Sequence, residues 1–294
     1  MKQFEVEFLS INGLYTNEME PMFQLWCYVI RSMTDNEKVF LFITYGYIWA
    51  SVLWFISKYT NKTLYMIPFL MMWPVMINFT SGLRYGLAIG HCLIALIALK
   101  DKKYIMALLF AFLAIFTHFL ALALLFYLGA YYGSKLLFKR VNSVKTILIL
   151  AIAIAAFAGV GLGVFQTFRF SYRMTDEVET NSVISYFPYV IFSLIILFLN
   201  KNKKGYNTPN EDLCTFAIHL NMVMIPITVL WGIYRLPYLF MLPMVVALSN
   251  TFGNGIKDKK TIRLFVTIVI VFFSFIKIIT MGAQSGALDY SFDF

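Results

Sequence analysis

Apolar residues in this chain come in runs of about 17–22, long enough to cross a hydrocarbon core of ~30 Å, with short polar links between them. Read in order, the runs predict about ten helical spans. They lie near 37–57, 64–80, 83–99, 104–117, 118–134, 146–166, 183–199, 213–231, 235–250 and 264–281. The stretch 104–134 is too long for one span, and each half is short for a full crossing. Its halves are expected to meet at Phe116-Thr117-His118 as a bend on the outer side, although hydropathy alone also permits a re-entrant pair. The expected fold is an all-α, polytopic integral membrane protein. It divides into an outer segment, 1–36, a transmembrane helical domain, 37–281, and an outer carboxyl-terminal tail, 282–294.

The outer segment has its own pattern. Met1 to Glu7 holds no apolar stretch of the kind a signal peptide needs. From Pro21 through Trp26 to Met33, apolar and polar positions alternate at helical spacing. That pattern fits an interfacial helix on the outer leaflet, and equally a short buried helix.

Composition narrows the class. The chain is 60% hydrophobic and 13% charged, against roughly 45–50% and 25% in soluble domains. The formal charge of +9 is the lysine and arginine excess of cytoplasmic loops, and nucleic acid is not an expected partner. Sixteen of the 24 basic residues fall in five links, at 58–62, 100–103, 135–145, 201–204 and 257–263. The alternate links carry the acids Glu18, Glu20, Asp176, Glu177, Glu179, Asp289 and Asp293. The basic links therefore belong in the cytoplasm, with both termini outside.

Against that frame four arginines stand out: Arg84, Arg169, Arg173 and Arg235. Together with His118 they fall toward the outer side, touching or interrupting apolar stretches. A charge near the bilayer centre costs about 2.5–3.5 kcal/mol on insertion scales, so such residues default to a functional reading. Gly82 and Gly86 flank Arg84, and Asn78, Thr80 and Ser81 precede it, which favours close helix approach and a wet cavity over simple snorkelling. Arg235 lies between Trp231 and Tyr238, where an interfacial anchor competes with a binding role. Arg169 and Arg173 are four apart, on one face if their segment is helical. A lone histidine such as His118 is ordinarily a packing residue. Cys27, Cys92 and Cys214 share no metal or disulfide spacing, and no metal or cofactor is expected. The glycines of AGVGLGV, 158–164, read as close helix packing, since no strand–turn–helix context makes them a phosphate loop.

Four motifs, in order over roughly residues 15–250, carry a family resemblance. Glu20-Pro21-Met22-Phe23 resembles the EP-x-F element of EpsG-like, Wzy-type polysaccharide polymerases, and Arg84-Tyr85-Gly86-Leu87-Ala88 their R-x-G-x-A helix start. Lys102-Lys103 followed by Thr117-His118-Phe119-Leu120-Ala121-Leu122 is similar to their basic turn and H-x-x-A-L element. Arg235-Leu236-Pro237-Tyr238-Leu239-Phe240 is similar to their late R-x-x-Y-F element. Family members usually carry a transmembrane helix before the first motif, so an upstream start encoding one more span is expected.

The resemblance implies an enzyme of the bacterial cytoplasmic membrane. On the outer face it joins oligosaccharide repeat units carried on undecaprenyl diphosphate into an extracellular, capsular or O-antigen polymer. It implies Arg84, Arg235, Arg169, Arg173 and Tyr238 as substrate-binding, and His118 or Glu20 as the base for the acceptor hydroxyl. The expected partners are the lipid-linked oligosaccharide, membrane lipids, a flippase and a chain-length regulator. The chemistry agrees, because guanidinium forks suit the charge that grows on a leaving diphosphate. Two other functions fit a polytopic chain with these residues. A membrane O-acyltransferase would need its donor reached from the cytoplasm, and a lipid-linked oligosaccharide flippase should show pseudo-symmetric halves.

Overall fold

The computed structural model describes residues 20–60, 83–118, 121–138, 213–214, 216–217, 238–255, 268 and 271. Among the described residues the regular structure is helical and no strand occurs. Six helices are defined: α1 (Pro21–Arg31), α2 (Glu37–Tyr59), α3 (Leu83–Lys100), α4 (Tyr104–Thr117), α5 (Leu122–Phe138) and α6 (Tyr238–Gly255). Helices α2 to α6 match the expected spans 37–57, 83–99, 104–117, 118–134 and 235–250. Spans 64–80, 146–166 and 183–199 lie outside the described residues, and of 213–231 and 264–281 only isolated helical positions are described.

Helices α2 and α3 are long and apolar enough to cross a membrane. At 23 and 18 residues they extend about 34 and 27 Å at 1.5 Å per residue. They run parallel. Tyr47 meets His91 midway along the pair, while Tyr59 donates to the Leu96 carbonyl at 2.9 Å and Lys58 pairs with Asp101 at 3.3 Å near its end. Thr60 and Leu83 consequently sit at opposite ends of the pair.

α3 is the central helix. Fifteen of its residues, from Leu83 to Ala98, are buried. A helix apolar and buried all round needs neighbours on every side, and α1, α2 and α4 supply three of them. α4 turns a face of small residues inward, with Ala107, Ala111, Ala114 and Thr117 buried at helical spacing. Its bulky residues point out: Ile105 is 88% exposed, Leu108 71% and Leu109 54%. Small residues between helices and large apolar ones outside is the arrangement lipid favours, because close backbone approach replaces the hydrophobic drive available in water.

The link between α3 and α4 is a Schellman turn. The Lys103 amide donates to Ala98 at 2.8 Å and the Lys102 amide to Leu99 at 3.1 Å, while Lys102 adopts a left-handed φ of 58°. Glycine is the usual residue at that position, so a lysine is held there at some strain. At the same end Thr60 donates to the Asn250 amide oxygen at 2.5 Å, and Asn250 returns a 3.2 Å bond to the Tyr59 carbonyl. These buried contacts fasten the end of α6 to the end of α2.

α1 reconciles the two readings of the outer segment. Phe23, Cys27 and Ile30 pack on Phe40, Leu83 and Leu87, while Leu25, Tyr28 and Val29 on the opposite face are exposed. The helix is docked on the bundle and still presents an apolar outer face. α5 begins at Leu122, four residues later than the expected span, because His118 leaves the helix in an extended conformation (φ −158°, ψ 121°).

Candidate functional site

Glu20 is the residue at which the chain enters α1. Its backbone is extended and Pro21 follows at the first helical position, where a missing N–H costs nothing. A carboxylate here would ordinarily cap its own helix, but Glu20 makes no side-chain cap bond. Its Oε2 instead accepts from Arg84 Nη1 at 3.1 Å. Both side chains are largely covered, 25% and 21% exposed.

Arg84 stands in the first turn of α3, where the positive end of the helix dipole opposes a cation. Two contacts offset this: the Glu20 carboxylate, and the ring of Phe23, whose centroid lies 5.9 Å from the guanidinium carbon. Phe23 is itself 1% exposed and locked in the core. The EP-x-F and R-x-G-x-A motifs therefore meet in space: glutamate and phenylalanine from one hold the arginine of the other.

The next residue reaches the third motif. Tyr85, 2% exposed, meets the His118 ring edge-on, with centroids 5.3 Å apart and planes at 71°. His118 caps the carboxyl end of α4; its amide donates to Ala114 and its carbonyl accepts from Ala121, both at 2.9 Å. The bend expected at Phe116-Thr117-His118 is thus present, at the end of the bundle where Arg84 lies. Adjacent residues of the first turn of α3 thus make the two contacts: Arg84 with Glu20, and Tyr85 with His118.

Among the other expected site residues, Tyr238 opens α6, at the end away from the Asn250–Thr60 contact. Arg169, Arg173 and Arg235 lie outside the described residues. The structure adds Phe23 and Tyr85 as the residues that hold Arg84 and His118. Both lie inside the quoted motifs, at positions that carry no charge to draw notice.

A second polar cluster went unassigned in the sequence. The Tyr47 hydroxyl and His91 Nδ1 are 2.5 Å apart, and His91 is 7% exposed. Trp26 donates to Thr44 at 2.9 Å and its ring lies 5.3 Å from that of Tyr47, so the cluster runs from α1 down between α2 and α3. The one available signal was spacing. His91 follows Arg84 by seven residues and so shares its helix face.

These features define a class: a helical membrane protein with an acid–arginine pair and a histidine gathered at one end of its bundle. The sequence model of the EpsG family matches residues 2–292, and the chain belongs to that family. It is a membrane protein of polysaccharide biosynthesis. Neither a curated protein nor a solved structure matches the chain.

Proposed function

We propose that this protein polymerises lipid-linked oligosaccharide repeat units as a multi-pass enzyme of the bacterial cytoplasmic membrane, acting at its outer face. The observation that carries the reading is that the Glu20–Arg84 pair and the Tyr85–His118 contact fall on adjacent residues at one end of the bundle, in a chain of the EpsG family. In the reaction, an acceptor hydroxyl on one unit attacks the anomeric carbon of the chain carried on undecaprenyl diphosphate. The new C–O bond forms as the bond to the diphosphate breaks, and the hydroxyl proton passes to His118. Undecaprenyl diphosphate leaves with the bonding electron pair.

Arg84 and Arg235 hold the diphosphate oxygens, with Arg169 and Arg173 closing over the sugar and Tyr238 contacting substrate. Guanidinium forks match those oxygens bidentately and are more weakly hydrated than ammonium groups. Glu20 is the counter-ion that keeps Arg84 aimed while the diphosphate is absent; its single 3.1 Å contact supports this role over that of a free base. A flippase delivering the units and a chain-length regulator are the partners this reading proposes.

The test is the product ladder of a deletion strain. Single repeat units capped on lipid, restored to polymer by the wild-type chain and not by Arg84→Ala, are expected. Intact polymer lacking only acyl groups, or no repeat units on the outer face, would replace the reading with an acyltransferase or a flippase.

A further inference from the structure

The end of the bundle opposite Arg84 carries a charge imbalance that the polymerase reading does not use. The last residue of α3 and the turn after it hold Lys100, Asp101, Lys102 and Lys103. Two of these are engaged with α2: Lys100 donates to the Lys58 carbonyl and lies 4.6 Å from the centroid of the Tyr59 ring, and Asp101 pairs with Lys58. Lys102 and Lys103 are exposed, and among the described residues neither makes an ion pair or side-chain hydrogen bond. Asp101, the nearest acid in sequence, is already taken.

Directly beside the two ammonium groups lies a shallow groove of ≈ 560 Å³, lined by Lys102, Lys103, Tyr104, Ile105, Met106 and Leu109. Its walls below the lysines are apolar and outward-facing, with Tyr104 65% exposed and Ile105 88%. A tyrosine at this level is the residue type enriched where hydrocarbon gives way to headgroups.

We infer that this groove binds an anionic glycerophospholipid of the cytoplasmic leaflet, its phosphate against Lys102 and Lys103 and an acyl chain along Ile105 and Leu109. Charge complementarity selects the headgroup, since the two lysines have no counter-ion among the described residues and that leaflet carries negative charge. The apolar floor selects a lipid over a free phosphate, which would leave it uncovered. A second copy of the chain is disfavoured, because a two-fold contact through this face brings four ammonium groups together. The inference rests on the membrane placement but not on the polymerase activity, and its test reads no polymer.

The full chain is reconstituted in nanodiscs of phosphatidylcholine with a minor fraction of phosphatidylglycerol carrying a photoreactive acyl chain. Crosslinks to the peptide containing Tyr104–Leu109 are then quantified. Each lysine near an anionic surface is worth about five-fold in lipid occupancy, so Lys102→Gln should lower the yield about five-fold and Lys102→Gln with Lys103→Gln about 25-fold. The paired arginine substitutions should hold the yield within about two-fold of wild type, which separates charge from folding. A photoreactive phosphatidylcholine should label the peptide no better than the double glutamine variant does with phosphatidylglycerol. Equal labelling by the two lipids would overturn the inference. So would displacement by inorganic diphosphate in solution, or crosslinks joining two copies of the peptide.

Discussion

Replacing Arg84 by lysine separates what holds the bundle together from what, under the proposed function, holds a diphosphate. Arg84 makes one monodentate contact to Glu20 and lies near the outer limit of cation–π range over Phe23. A partly exposed ion pair contributes about 0.2–1 kcal/mol, and a cation–π contact at this separation about 0.5 kcal/mol. A lysine can keep the charge and much of the pair, so Arg84→Lys should cost less than about 1 kcal/mol of stability. Its protein level in the membrane should be normal. A bidentate diphosphate contact is another matter. Losing one charge-assisted hydrogen bond of the fork forfeits about 1.5–3 kcal/mol, or roughly 10–150-fold in kcat/KM. Polymer should therefore collapse toward single units although the fold is intact.

The partner substitution checks the role of Glu20. As a counter-ion, Glu20→Gln should leave polymerisation within about ten-fold of wild type, since the lost pair is worth no more than about 1 kcal/mol. If Glu20 were the base, the same change should nearly abolish turnover. The assay is the length distribution of polymer in a deletion strain complemented with each variant, alongside membrane abundance and thermal unfolding of the purified protein. Wild-type polymer from Arg84→Lys would refute the reasoning. Loss of the folded protein in that variant would also refute it, by showing that the contacts of Arg84 are worth several times the value argued here.

His118→Gln should reduce turnover by about 10²–10⁴-fold while lipid-diphosphate retention stays near wild type, measured by substrate binding to purified protein; a parallel loss of binding would remove its role as base. A Cβ at Gly90 would lie 3.1 Å from Tyr47 Cε1 and 3.4 Å from Ser51 Oγ. Gly90→Ala should accordingly cost about 1 kcal/mol and Gly90→Leu more, seen in thermal unfolding, and an unchanged leucine variant would contradict the packing of α2 on α3. Cysteines introduced in 200–212 should resist a membrane-impermeant thiol reagent in intact cells, and those in 174–180 should react; the reverse pattern would invert the topology.

Periodicity and length made α2 to α4 and α6 legible within a few residues, because lipid imposes one solution on a long apolar run: a helix that satisfies its own backbone. The bend at Phe116-Thr117-His118 was legible too; what they could not supply was where the next helix starts. Thr117 and His118 interrupt the run only weakly, and the helix ends there through an extended residue whose neighbours supply its hydrogen bonds. The α5 boundary moved by four residues for that reason. Arg84 stood out from charge alone, since a basic residue at an apolar run calls for a partner. Its partner was legible only as an acid on the expected side. No spacing rule links positions 20 and 84, so the ion pair belongs to tertiary packing, through the Phe23–Cys27–Ile30 stripe that seats α1 on Leu83 and Leu87.

The Tyr47–His91 contact shows why that seating is specific. Apolar stripes alone would let α1 and α2 slide along α3 at little cost, because lipid is as good a solvent for leucine as a neighbouring helix is. A hydroxyl and an imidazole in the same apolar slab cannot slide apart without exposing both to hydrocarbon. Interhelical hydrogen bonds of this kind contribute only about 0.6 kcal/mol on average, so their effect on total stability is small. Their effect on register is larger, since moving a helix by one residue shifts it about 1.5 Å, which breaks a 2.5 Å contact outright. Trp26 and Thr44 extend the same constraint to α1. The carboxylate of Glu20 thus reaches Arg84 because buried polar contacts below it fix the heights of three helices relative to one another.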